Sequence, residues 1–483
     1  MDDSMSERLL AEDEATDSDP PGDGYELISE RETLVFENDF FREQQRLSKR
    51  GGFFQTYLME KMLPGSGYNN TCLYKLLFVA NSLYAFTVKG SMFTMTVAIV
   101  GAGVLALPYA VHQAGLALGI LLIIKGAIAT NFTLRLLVEC SDLKQARSYM
   151  DLALLTGGRK LAKFTQLVVC MNLFGTSVGY LVGSAELIQL ALRPFVTTTS
   201  SSIFYDRQVL IVMLCGFLVL PLSLLRSLES LRFSSLFSIA CIGFMTLVIV
   251  IKYFQFEHEG LAPTMAYQFK HLPIFDMRLS HLLRAIPLVV FSFTCHPNVL
   301  PIYLVLKHRS SKRMYKVMDR SIGIATIIYS LCGFFVVLTF GEATQSNFLK
   351  NNYHRDGAVI AGCLGFSIAL ILTVPLFVHT LRDNIREAML ANVRLDLKHH
   401  AELSIVLVLA VLLVAFESGD IASVLGVLGS TTNPMICFIL PTFFIYRLGN
   451  EQHRSQQIIA GLIAILMTVM SALSLLHQMQ LLY

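Results

Sequence analysis

Gly101, Gly103 and Pro108 fall within eight positions of an otherwise apolar stretch, Thr94 to Gly115 (TMTVAIVGAGVLALPYAVHQAG). These residue types interrupt helices: glycine weakens them, and proline removes a backbone donor and clashes with the preceding turn. The freed amides and carbonyls are costly in hydrocarbon and are tolerated only where they are buried or line a cavity. Helices broken in mid-membrane are how transporters hold a small polar substrate. The same residues also suit a kink or a close helix–helix contact, and this stretch alone leaves both readings open.

A second stretch, Arg284 to Lys307 (RAIPLVVFSFTCHPNVLPIYLVLK), carries Pro287, Pro297 and Pro301 with His296 and Asn298 at its middle. Two interrupted spans at comparable places in two halves point to a transporter site. Both close alike, on Leu107-Pro108-Tyr109 and on Leu300-Pro301-Ile302-Tyr303. An inverted repeat of two five-helix halves would leave such a trace.

The elements that must position these stretches are membrane helices. Of 483 residues, 54% are hydrophobic and 15% charged, whereas a soluble domain carries about 25% charged residues. Apolar runs of about 20 residues recur along most of the chain, which predicts a polytopic helical membrane protein. The formal charge of +3 says little about partners, and nothing points to nucleic acid. The nine cysteines include no CxxC pair and read as small buried apolar residues. Tryptophan is absent, so tyrosine and phenylalanine must form the interfacial belt.

Residues 1–90 read as a cytosolic tail, disordered to about Arg50 because they are acidic and poor in apolar residues. No cleavable signal peptide is expected. Within the tail, Tyr25 with Ile28 three residues on has the form of a tyrosine-based sorting signal, or is plain tail. An interfacial or packing helix is expected over 73–88. The transmembrane domain is expected over 91–483. Its spans fall at 92–113, 116–138, 162–192, 208–226, 233–254, 283–306, 320–341, 358–381, 402–417, 421–446 and 456–480, about eleven in all. With the N-terminus cytosolic, the inner loops hold most of the basic residues, including the run Lys307, Arg309, Lys312, Arg313 and Lys316. That obeys the positive-inside rule and puts the C-terminus outside or in a lumen.

On these motifs the chain resembles the amino acid/auxin permease family, above all its sodium-coupled neutral amino acid transporter branch, from about Met92 to the C-terminus. AIVGAGVLALPYA resembles that family's first helix, with its unwound GxGxL run, and FSFTCHPNVLPIY its sixth. Leu338-Thr339-Phe340-Gly341, Leu372-Thr373-Val374-Pro375 with Arg382, and Gly426 to Ser430 with Pro441 are supporting matches to the seventh, eighth and tenth. The resemblance implies an all-α integral membrane protein with a LeuT-like fold of two inverted five-helix repeats plus one helix. It implies secondary active transport of amino acids by alternating access, in a plasma membrane or a lysosome- or vacuole-like organelle.

The resemblance also assigns roles. Backbone groups of Gly101, Ala102, Gly103, Val104 and Leu105 would take the substrate's carboxylate and ammonium, with Phe291, Ser292, Phe293 and His296 on the opposing side. A sodium site would use the Thr373 hydroxyl and first-helix carbonyls such as that of Ile99. Sodium-coupled members carry an asparagine where this chain has Val97, which offers no oxygen ligand to a hard cation. The coupling ion is therefore H+ or Na+. His296, Glu186 and Lys125 are candidate coupling residues because ionisable groups in membrane spans mark ion pathways. Each also has a structural alternative: a neutral imidazole on a freed carbonyl for His296, a reach to the interface for Glu186, and snorkelling for Lys125. No cofactor is expected. HExxH, GxSxG and phosphate-loop motifs are absent, which argues against an enzyme. An amino acid sensor, with the N-terminal tail contacting a cytosolic partner, is the alternative to a transporter.

Overall fold

Apolar runs of this length become helices because a backbone in hydrocarbon must satisfy its own amides and carbonyls. The computed structural model describes residues 87–195, 206–225, 232–351, 353, 356–389 and 397–482. The tail, its Tyr25 signal and the expected 73–88 helix up to residue 86 lie outside the described residues.

The first interrupted stretch forms α1 (Val88–Ile99) and α2 (Gly103–Ala114), bent by 61° at the break. Thr87 caps α1, its hydroxyl accepting the Gly90 amide at 3.2 Å. Next come α3 (Leu116–Lys144) and α4 (Tyr149–Leu192). A reciprocal capping box between Ser148 and Asp151 starts α4. Its membrane part was expected from 162; the helix begins earlier and kinks at Gly158, whose φ of 67° suits glycine. Then follow α5 (Arg207–Ser223), which contains a π turn over Cys215–Val219, α6 (Arg232–His258) and the short α7 (Met265–His271).

The second interrupted stretch forms α8 (Leu279–Ser292) and α9 (His296–Val305). After it run α10 (Ser311–Phe340), α11 (Gly357–Met389) and α12 (Leu397–Glu417). The chain turns by 112° into α13 (Ile421–Ser430). Thr431 leaves helical geometry at φ −122°, ψ −86°, and a π turn over Met435–Ile439 leads into α14 (Leu440–Leu448). The last helix is α15 (Arg454–Leu482), at the periphery, with only 11% of its most apolar window buried.

Seven helices are long and apolar enough to cross a membrane, or up to nine if each bent pair is one span, among the described residues. The expected count was eleven. Arg207–Ser223 falls among the shorter apolar helices, and α12 and α13 form one bent pair. The expected single span over 421–446 is in fact interrupted at Thr431.

Packing centres on the interrupted helices. The half-helices α2 and α8 lie against each other, α10 covers α1, α2 and α3, and α4 lies against α11. Near the start of α3, the amides of Leu116 and Ala117 donate to Pro273 and Ile274 carbonyls at 3.1 and 3.0 Å. Arg278 and His281 flank Asp276 in this region, and the Arg278 guanidinium holds the Asp276 carboxyl well below the usual carboxylate range against the opposing effect of burial. Where α13 crosses α8, a Cβ on Gly429 would run into the Pro287 backbone. Gly429→Val is therefore expected to destabilise the protein by about 1–3 kcal/mol through overpacking. Thermal unfolding in detergent measures this, and an unchanged midpoint would refute the close approach.

Candidate functional site

The two breaks meet. Ser292 ends α8 and Gly103 begins α2, and a Cβ on Gly103 would lie 2.8 Å from Ser292 Cβ and 2.9 Å from its Cα. Glycine is needed there for space. Between α1 and α2, the Val104 and Leu105 amides turn back to Gly101 and Ala102 carbonyls at 3.3 and 3.1 Å, in 3₁₀ fashion. In the second break, the Thr294 amide reaches the Phe291 carbonyl at 3.0 Å, and the Asn298 amide reaches that of Cys295 at 3.0 Å. Pro297 lies in the first turn of α9, where its missing N–H is no loss. Pro108, Pro287 and Pro301 lie inside half-helices and do not mark the breaks themselves.

Tyr329 of α10 ties the breaks together. Its hydroxyl stands 2.9 Å from the Ile99 carbonyl oxygen and 2.9 Å from that of Ser292. These are the last residues of α1 and α8, so two negative helix ends converge on one hydroxyl. A phenol has one proton and can donate to only one carbonyl at a time. The Tyr329 ring is fully buried and packs edge-on against Phe293, with centroids 5.3 Å apart. A second tyrosine, Tyr180 of α4, accepts the Ala102 amide at 3.3 Å and packs edge-on against Phe377 of α11 at 5.1 Å. Sequence reasoning missed Tyr329, which reads as one more residue on an apolar helix.

The remaining expected residues divide clearly. Ala102, Gly103, Val104, Leu105, Phe291, Ser292, Phe293 and His296 are all buried, and Gly101 is partly exposed beside the Tyr180 hydroxyl. His296 is 0% exposed, and its Nε2 lies 2.9 Å from Thr133 Oγ1 of α3. The Thr133 hydroxyl also sits 3.2 and 3.1 Å from the Ala129 and Thr130 carbonyls of its own helix. His296 Nδ1 has no partner among the described residues. The expected partner of a neutral imidazole was a freed carbonyl; it is a hydroxyl of a neighbouring helix. The Thr373 hydroxyl donates to the Ala369 carbonyl of its own helix at 2.8 Å, and the Ile99 carbonyl is held by Tyr329.

Lys125 and Glu186 are away from this meeting point. Lys125 is exposed on α3 among the exposed Leu121, Ile124 and Ile128. Glu186 is 1% exposed and its carboxylate is fully engaged. It accepts from Asn347 Nδ2 at 3.0 Å, from Lys350 Nζ at 2.9 Å and from the Ile421 amide that opens α13 at 3.3 Å. The arrangement fastens α4, the 341–356 connection and α13 at one end of the bundle.

A third polar contact was not foreseen. Asn172 of α4 donates to Thr432 Oγ1 at 2.9 Å and to Asn433 Oδ1, just past the interruption at Thr431. Among the described residues no group of three or more His, Cys, Asp or Glu is placed to hold a metal ion.

Two substitutions test this geometry. Tyr329→Phe removes the hydroxyl shared by both helix-end carbonyls, leaving the Ile99 carbonyl with the Gly101 amide at 3.1 Å, and is expected to cost about 1–2 kcal/mol. Glu186→Gln weakens a carboxylate tie whose partner Lys350 is part-solvated, for about 1–3 kcal/mol. Denaturation in detergent reads both, and two neutral results would remove the ties assigned to these residues.

The family described as transmembrane amino acid transporter protein matches residues 85–481. A curated relative, the sodium-coupled neutral amino acid symporter 2 of Danio rerio, is 26% identical over 396 residues, covering 78% of this chain and 79% of the relative. Among solved structures, a mutant of the Eremococcus coleocola manganese transporter aligns with a TM-score of 0.54 at 14% identity, over 82% of this chain and 87% of that one. The same transporter with an aromatic bis-isothiourea substituted compound aligns at 0.50 and 15%, over 86% and 90%. These structural likenesses speak to the fold alone and carry nothing about the cargo. The chain belongs to the transmembrane amino acid transporter protein family and is a secondary-active amino acid transporter.

Proposed function

We propose that this transporter binds a neutral amino acid between its two breaks and moves it by alternating access, driven by a cation. The observation that carries this reading is the meeting of the breaks at Gly103, Ser292 and Tyr329. The C-terminal ends of α1 and α8 offer partial negative charge to an ammonium group. The N-terminal ends of α2 and α9 offer amides to a carboxylate. A zwitterion matches both. No acidic residue sits within either break to select a cationic side chain, which favours neutral substrates.

In this reading α1 with α2, α8 with α9, and α13 with α14 each count as one span. With α3, α4, α5, α6, α10, α11, α12 and α15 they give eleven spans, the LeuT-like arrangement of two inverted five-helix repeats plus one. An odd number of spans sets the cytosolic N-terminus opposite the C-terminus. Of the two coupling ions, sodium has the name of the Danio rerio relative in its favour, with Thr373 and the Ile99 carbonyl as ligands. The proton has Val97 in its favour, and the unpartnered Nδ1 of buried His296 as a place to bind.

Uptake of labelled neutral amino acids into proteoliposomes, with sodium and proton gradients imposed separately, tests the proposal. Gradient-driven uptake is expected, falling by about tenfold or more in Gly103→Val because a side chain there forces the breaks apart. Proton-driven uptake that becomes gradient-insensitive in His296→Gln assigns the proton to that imidazole. Sodium-driven uptake lost in Thr373→Val assigns the sodium site. Glu186→Gln is expected to keep its gradient dependence. Binding without uptake under either gradient would contradict transport and favour a sensor.

A further inference from the structure

A cavity of about 210 Å³ lies where α4 ends and α11 begins, walled by these helices and by the 341–356 connection. None of its lining residues belongs to the breaks. Its apolar wall includes Leu349, Val359 and Cys363, each almost fully buried. Its polar wall is unusual in offering donors. Asn351 is 8% exposed and Tyr353 5%, yet Asn351 Nδ2 and the Tyr353 hydroxyl have no partner among the described residues. The Asn351 carbonyl oxygen is already taken by the Gln345 amide at 3.1 Å, so this side chain has only N–H to give. Arg193 adds an exposed guanidinium at the rim.

The one carboxylate on the wall does not answer these donors. Asp356 is ion-paired with Lys252 and accepts the Ala358 and Val359 amides at 2.9 and 3.1 Å. Leaving buried donors unmet is costly, so a cavity with two of them, whose one carboxylate among the described residues is already engaged, suits an acceptor from outside. A planar, two-oxygen anion matches a guanidinium fork and a neighbouring amide, and the apolar wall suits a short hydrocarbon body.

We propose that this cavity is a second binding site, separate from the breaks, for the carboxylate of a small organic acid, held by Arg193, Asn351 and Tyr353. The carboxylate can belong to a plain monocarboxylate or to an amino acid. A bound carboxylate would brace the same connection whose Asn347 and Lys350 hold Glu186 and, through it, the start of α13. Occupancy would then stiffen that end of the bundle without touching the transported substrate.

Thermal unfolding of the full-length protein in detergent tests the site, with propionate and L-alanine as probes, since they differ only by the ammonium group. Ligand that binds the folded state alone raises the midpoint with the logarithm of its concentration once that exceeds Kd. Protection by propionate that follows this logarithmic dependence is expected, with apparent affinity reduced about tenfold in Arg193→Gln and in Asn351→Leu. Arg193 is exposed, so its variant keeps the fold if the other does not. Protection by alanine that weakens in Arg193→Gln identifies the occupant as an amino acid. Alanine protection indifferent to Arg193→Gln, alongside propionate protection that weakens, identifies a plain carboxylate and leaves alanine to the central site. Absent propionate protection, equal protection by chloride at the same ionic strength, or propionate protection unchanged in both variants overturns the proposal.

Discussion

One hydroxyl stands between the ends of two half-helices, and the rest of the structure is arranged to keep it there. Tyr329 meets the Ile99 and Ser292 carbonyls at equal distance with a single proton to share. Each carbonyl ends a helix whose hydrogen-bonding ladder stops inside the helical bundle. An unmet carbonyl in hydrocarbon costs several kcal/mol by the usual order of magnitude (about 2–7), so the breaks persist only because something polar reaches them. α10, which carries Tyr329, lies against α1, α2 and α3 at once. It is the scaffold against which the broken helices are held.

The same logic repeats at the edges of the site. Tyr180 brings a hydroxyl from α4 to the Ala102 amide, and Phe377 of α11 packs on its ring. Thr133 of α3 supplies the hydroxyl that meets His296. Asn172 of α4 does this for the interruption after α13. Each break is thus met by a side chain from a neighbouring helix, and the long helices α3, α4 and α10 act as frames for short interrupted ones. A ligand that supplied its own ammonium and carboxylate to the helix ends would answer the same backbone groups as these side chains, which links substrate binding to the order of both breaks.

Much of this was legible in the residues, for identifiable reasons. Glycine and proline in apolar runs are local signals, so both interrupted stretches could be found without a structure. The breaks lie at 100–102 and 293–295; Pro108 and Pro301 fall inside the half-helices that follow them, and Pro297 opens the first turn of α9. The partners were not legible. Glu186 meets groups 161, 164 and 235 positions away, and no periodicity encodes such distances. Tyr329 lies in an apolar run whose pattern asks only for burial, and Asn172 has no charge to draw attention. The interruption at Thr431 lies in a local signal, Gly429-Ser430-Thr431-Thr432-Asn433-Pro434, which the longer apolar runs on either side of it outweighed.

The central claim is that the two breaks form one substrate site, held closed by Tyr329. Hydrogen–deuterium exchange of the reconstituted protein, with and without a saturating transported amino acid, tests it most directly. Slower exchange is expected together at the amides of 100–105 and 293–298, with α15 and the lipid-facing surface of α3 unchanged. Protection confined to one of the two breaks, or appearing only elsewhere in the bundle, would contradict a shared site.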